Sequence, residues 1–179
     1  MEHRAAKVNI GPAGGTAASG SRTCKVTLPT TWLEAMGVTE NQRELELTFD
    51  GTKITLSRRL KGPEFAERRQ AIGHEVRLIH FYDQEKLCST IYAEFTDHSV
   101  VVENQAVPVI KTAFGNNLFP TWEDFRGFLA DRCVPRQRAG LREYLDALGL
   151  DEYDPLAIVK KTGGRMAEDQ QWLTIEVLK

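Results

Sequence analysis

Residues 24–56 read CKVTLPTTWLEAMGVTENQRELELTFDGTKITL. The run Cys24-Lys25-Val26-Thr27-Leu28 alternates apolar and polar residues, the period of a half-buried strand, and stops at Pro29. Thr30 to Met36 then carries a short helical pattern that Gly37 ends. Leu45-Glu46-Leu47-Thr48-Phe49 and Lys53-Ile54-Thr55-Leu56 alternate again on either side of Asp50-Gly51, a hairpin turn signal. A strand, a turn or two of helix and a hairpin make too few parts to bury a core. About 40 residues lies near the lower limit for independent folding without a metal, a disulfide or a partner. A second copy of the chain is the expected solution, which makes this stretch a dimer-forming module.

Outward from that stretch, Val8-Asn9-Ile10 reads as a further short strand, and residues 11–21, GPAGGTAASGS, as a flexible loop. Arg58-Arg59-Leu60-Lys61-Gly62-Pro63 reads as a linker of solvated cations. The texture changes beyond it. A short helix is expected over residues 64–72, closed by Gly73, followed by an antiparallel meander of strands over 75–82, 87–95 and 99–103. Residues 104–120 look irregular. Thr121 with Asp124 three residues on marks the start of a helix to about Cys133, with Trp122, Phe125, Phe128 and Leu129 on its apolar face. A second amphipathic helix is expected over 136–148, and a third from Pro155 to about Lys161 behind the cap Asp154; a strand over 172–178 closes the chain. The expected fold class is α+β: an N-terminal swapped-hairpin, barrel-like dimer module over residues 1–60, then an antiparallel sheet with helices over 64–179.

The chain has 179 residues, 41% hydrophobic and 27% charged, as a folded protein should. No apolar run approaches the ~18 residues of a membrane span, and MEHRAAKVNI lacks the apolar core of a signal peptide, so a cytoplasmic location is expected. Cys24, Cys88 and Cys133 are far apart with no CxxC pair, which argues against a zinc site and a secreted disulfide framework. Charge is uneven. Residues 1–62 hold nine Lys/Arg against six Asp/Glu, a net +3, which leaves 14 against 19, a net −5, for the remainder. A positive head on a negative body suits nucleic-acid binding at the N-terminal end.

Val26-Thr27-Leu28-Pro29, Trp32-Leu33, Met36-Gly37-Val38 and the two strands around Asp50-Gly51 together resemble the AbrB/MazE/SpoVT swapped-hairpin family of DNA-binding domains, over roughly residues 5–60. The resemblance implies a homodimer that interleaves its hairpins and turns basic residues toward double-stranded DNA. Members are transcription regulators, or antitoxins that repress their own operon. By position, the implied DNA-facing residues are Lys7, Arg22 and Lys25, with Thr27, and Arg4 as a further candidate. Residues 11–21 make a longer, Gly-rich loop than a minimal member needs. Residues 64–179 resemble tails of bacterial mobile-element and accessory proteins at Tyr153-Asp154-Pro155-Leu156 and at Gly164-Arg165-Met166-Ala167-Glu168-Asp169, a resemblance that implies no activity.

A catalytic set is hard to find. His74, His80, Cys88 and His98 fit no ligand or nucleophile spacing, and Asp151, Glu152 and Asp154 sit where a helix start favours acids. Arg165, Glu168 and Asp169 form the one cluster worth testing, either as a ligand or partner site or as an internal ion pair that pins a loop. The expectation is therefore a non-enzymatic, cofactor-free regulator that binds a palindromic operator near its own gene. Two alternatives stand beside it: an antitoxin or adaptor whose residues 64–179 neutralise a partner protein, and an enzyme using Arg165 with Glu168 or Asp169 in a concave pocket with perturbed acids.

Overall fold

Period-two alternation places strands in both halves of the chain, and helical stripes place the helices of the long connection between the seventh strand and the last. In the computed structural model, which describes residues 2–14, 18 and 20–178, the chain is mixed α+β and divides into two compact units, residues 1–59 and 60–179. Its strands form three open antiparallel sheets, with no closed barrel among the described residues. None of the helices is long and apolar enough to cross a membrane.

In the first unit, β1 (Val8–Pro12) pairs with β2 (Arg22–Val26), and β3 (Leu45–Phe49) with β4 (Ile54–Arg58), as two separate two-stranded sheets. The first hairpin runs two residues deeper into the Gly-rich segment than expected. Gly11 pairs with Thr23 and Pro12 with Arg22, and Ala13 N–H donates to the Ser21 carbonyl at 2.8 Å. Of the loop expected over 11–21, residues 15–17 and 19 lie outside the described residues. Helix α1 (Thr30–Ala35) starts after Pro29, and Gly37 beyond it takes a left-handed φ of +73°. The Trp32 indole N–H donates to Glu2 at 2.6 Å. At the β3–β4 turn the Asp50 carboxylate accepts from the amides of Thr52 and Lys53 and from the Thr52 hydroxyl, while Gly51 supplies φ +99°. Those bonds, the Thr52 amide first, hold the Asp50 carboxyl below the usual carboxylate range.

Arg58 and Arg59 do not sit in a linker. Arg58 ends β4 and donates to the Gln42 side chain at 3.3 Å, and Arg59 pairs with Glu44 at 3.1 Å, so both tie the hairpin back to the preceding turn. The sequence pattern missed this because the partners come from an irregular stretch with no periodicity.

The second unit is built on a four-stranded sheet in the order β7-β6-β5-β8: β5 (Val76–Asp83), β6 (Lys86–Glu94), β7 (Ser99–Asn104) and β8 (Gln171–Val177). Helix α2 (Gly62–Ala71) begins two residues earlier than expected, with Pro63 in its first turn. It covers one part of one sheet face, where Phe65 and Ala66 pack with Val76 and Tyr92. The opposite face carries the main core. There Ile79, Phe81, Ile91, Ala93, Val102 and Leu173 meet α3 (Trp122–Asp131), α4 (Leu141–Leu148) and α5 (Pro155–Thr162). The capping box at Thr121 and Asp124 forms as expected, and the Asp154 carboxylate accepts from the amides of Leu156 and Ala157. Helix α4 is shorter than its amphipathic pattern suggests. Gly140 takes φ +76° and starts it, while residues 136–137 and 139–140 form turns, so only the Leu141, Tyr144, Leu145 and Leu148 stripe is helical.

Candidate nucleic-acid interface

The register of the β1–β2 hairpin sorts its side chains. Directly opposite residues of an antiparallel pair share a face, and neighbours along a strand alternate. Val8 with Val26, Ile10 with Cys24 and Pro12 with Arg22 therefore occupy one face, and Asn9 with Lys25 and Gly11 with Thr23 the other. Lys7, one residue before β1, continues the phase of Asn9, and Thr27, one residue after β2, that of Lys25. Lys7, Lys25 and Thr27 are all exposed, and this polar face groups them. Arg22 is exposed too, but it falls in phase with the apolar set, at the far end of the hairpin. Arg4 is exposed in irregular backbone ahead of β1. The single basic side expected of Lys7, Arg22 and Lys25 is thus split by the register. Counting from the expected strand start at Cys24 hid the split, because β2 begins at Arg22.

The apolar faces of the first unit are uncovered. None of its described residues is buried. Val8 is 54% exposed, Ile10 60%, Leu47 64% and Phe49 70%. In the second hairpin Leu47 opposes Leu56 and Phe49 opposes Ile54, so it also has one apolar face, with Glu46, Thr48, Thr55 and Ser57 on the other. Burying the remaining area of such side chains is worth on the order of 1 kcal/mol each.

The second candidate cluster comes apart. Asp169 meets Arg132, not Arg165. The Arg132 guanidinium, 8% exposed, donates to both Asp169 oxygens (2.5 and 3.0 Å), to the Gly164 and Gln171 carbonyls (both 2.9 Å) and to the Gln171 side chain (3.4 Å). All five of its N–H groups are used. The Arg132 bonds hold the Asp169 carboxyl below its ordinary value, against the opposing effect of burial. Arg165 stacks instead on Trp172, its guanidinium carbon 4.8 Å from the ring centroid, and Trp172 stacks on Tyr82 at 4.5 Å. Glu168 lines a different feature, an open groove of about 1440 Å³ along α3 with Trp122, Phe125, Tyr153 and Met166. Arg132 carried no signal in the sequence, since its partner lies 37 residues away beyond two helices.

The cysteines are all free thiols: Cys24 exposed, Cys88 and Cys133 buried. Burial pushes the Cys133 thiol up to about 11, so it is not a nucleophile near neutral pH. No family model, curated protein or solved structure matches this chain.

Proposed function

We propose that the protein is a homodimeric, sequence-specific DNA-binding transcriptional regulator that represses its own operon. Residues 1–60 form the dimerisation and DNA-binding module, and residues 64–179 a domain that binds a partner or effector. The observation that carries this reading is the first unit itself: two hairpins, each with one apolar and one polar face, and no buried residue in the single chain among those described. A unit of that kind gains its core from another surface, and a second copy supplies matched apolar faces at no cost in new sequence. Two-fold symmetry doubles the polar face with Lys7, Lys25 and Thr27, and doubled cations suit two half-sites of a palindrome. Arg22, in phase with the apolar set, serves the dimer or the loop end, and Arg4 reaches DNA only as an N-terminal arm.

The test is selection from a random duplex library with the full chain, followed by affinity against salt. An inverted repeat is expected to emerge. Lys25→Ala should lower the salt slope by about 0.9 per protomer, the value for one phosphate left unneutralised, while Arg22→Ala leaves the slope unchanged. An unchanged slope for the Lys7→Ala/Lys25→Ala double variant would sink the assignment of this face to DNA.

A second reading, an antitoxin or adaptor whose second unit captures a protein such as a cognate toxin, has one observation in its favour. The connection between β7 and α3 exposes Val109, Ile110, Leu118 and Phe119, with Ile110 88% exposed. A stable one-to-one complex with a protein encoded by an adjacent gene, abolished by Ile110→Asp, is the outcome that would favour it.

A further inference from the structure

We propose that His74, Glu94 and Asp97 form a binding site for one divalent transition-metal ion. The three come from two places in the chain. His74 lies between α2 and β5, where its amide donates to the Arg69 carbonyl and Gly73 before it takes φ +82°. Glu94 ends β6, paired in register with Val76, and Asp97 sits in the β6–β7 turn. The Phe95 amide donates to the Glu75 carbonyl at 2.9 Å and holds that turn beside His74.

His74 Nδ1 is 3.3 Å from a Glu94 oxygen and 3.6 Å from Asp97 Oδ2, and one donor atom from each residue falls within 4.8 Å of the others. Donors bound to one ion at about 2.1 Å stand roughly 3.0–3.4 Å apart in octahedral or tetrahedral geometry, so a small rotation of Asp97 closes the set. One feature points to a cation rather than to a plain cluster of charges, and a second fixes the geometry around it. His74 Nδ1 is inaccessible to solvent and makes no hydrogen bond, although two carboxylates stand beside it. Glu94 is fully buried, and its two oxygens accept from the Thr96 and Asp97 amides and from the Thr96 and Ser99 hydroxyls, so the carboxylate is held in place beside His74. Burial works to raise its pKa, but those bonds outweigh it and keep the carboxylate charged.

An imidazole nitrogen with two carboxylates selects zinc, cobalt or manganese over magnesium and calcium. Asp97 is 57% exposed, so water completes the coordination. Arg69 competes: its guanidinium lies 3.2 Å from the same Asp97 oxygen and must swing aside when the ion enters. The ion would fasten the α2–β5 junction to the β6–β7 turn. This inference is independent of the DNA-binding reading.

The experiment is calorimetric titration of the metal-stripped full chain with ZnCl₂, CoCl₂ and MnCl₂, with the visible spectrum of the cobalt form. One ion per chain at micromolar affinity is expected, undisturbed by millimolar magnesium. Asp97→Asn, at an exposed position that leaves the fold intact, and His74→Gln should each weaken it at least tenfold. Arg69→Gln should tighten it several-fold, because a competing cation is gone, a result no merely structural role of this cluster produces. Binding only at millimolar metal, or micromolar binding indifferent to both ligand substitutions, overturns the site.

Discussion

Arg132 and Asp169 show what a single pair can do in the second unit. A guanidinium with five satisfied donors, set over the Phe81 ring at 6.0 Å, fastens the segment after α5 to the end of α3. Removing one partner of such a pair strands the other, so Asp169→Asn is expected to cost about 3 kcal/mol, read as a shift of the urea midpoint. The sign of its pH dependence follows from the lowered carboxyl. The folded state holds the proton less tightly than the unfolded chain, so the contribution is complete above about pH 4, near the ordinary value of 3.8, and disappears as pH falls through the lower folded value. Asp169→Asn should therefore flatten the acid limb of stability against pH. The same scale offers a reporter for the first unit. Cys24 shares the apolar face with Ile10 and is exposed in the single chain. If that face is a dimer interface, alkylation of Cys24 slows as protein concentration rises, while Cys88 and Cys133 stay unreactive throughout. A Cys24 rate independent of concentration would remove the face from the interface.

Among the elements, those with a local signature were legible in the sequence. Every strand from β3 to β8 lies within two residues of where alternation put it, and α3 begins at the capping box that Thr121 and Asp124 announce. Legibility failed where geometry depends on a distant partner. Gly62 looked like linker, yet its missing side chain is a packing requirement. A Cβ there would lie 1.9 Å from the Tyr92 ring, and the Gly62 amide donates to Glu103 at 2.9 Å. Gly62→Ala is expected to destabilise the second unit by roughly 1–3 kcal/mol, the range for overpacking, and a thermal melt would show it. A Tyr92→Leu background should recover part of that stability if the ring is the cause. The candidate cluster after α5 failed for a similar reason: proximity in sequence joined Arg165 to Asp169, whereas the fold sets Asp169 against Arg132 and Arg165 against Trp172.

For the whole molecule, the two units differ in how they reach stability. Residues 60–179 own their core, with thirteen buried residues in its main cluster, whereas residues 1–59 own none among those described. The uneven charge seen in the sequence follows the same division. That contrast was legible early, because a strand–helix–hairpin fragment has too few faces to enclose anything.

The strand order β7-β6-β5-β8 bears on the time course of synthesis. β5 is central, but one of its two neighbours spans Gln171–Val177, nearly ninety residues later. Until that segment leaves the ribosome, β5 has a free row of amides and carbonyls along one side, beside the apolar Ile79 and Phe81. Every helix of the main core is made before the strand that seals the sheet, so the second unit closes late, through a contact of long sequence separation, and a nascent chain stalled before residue 171 is its most aggregation-prone form.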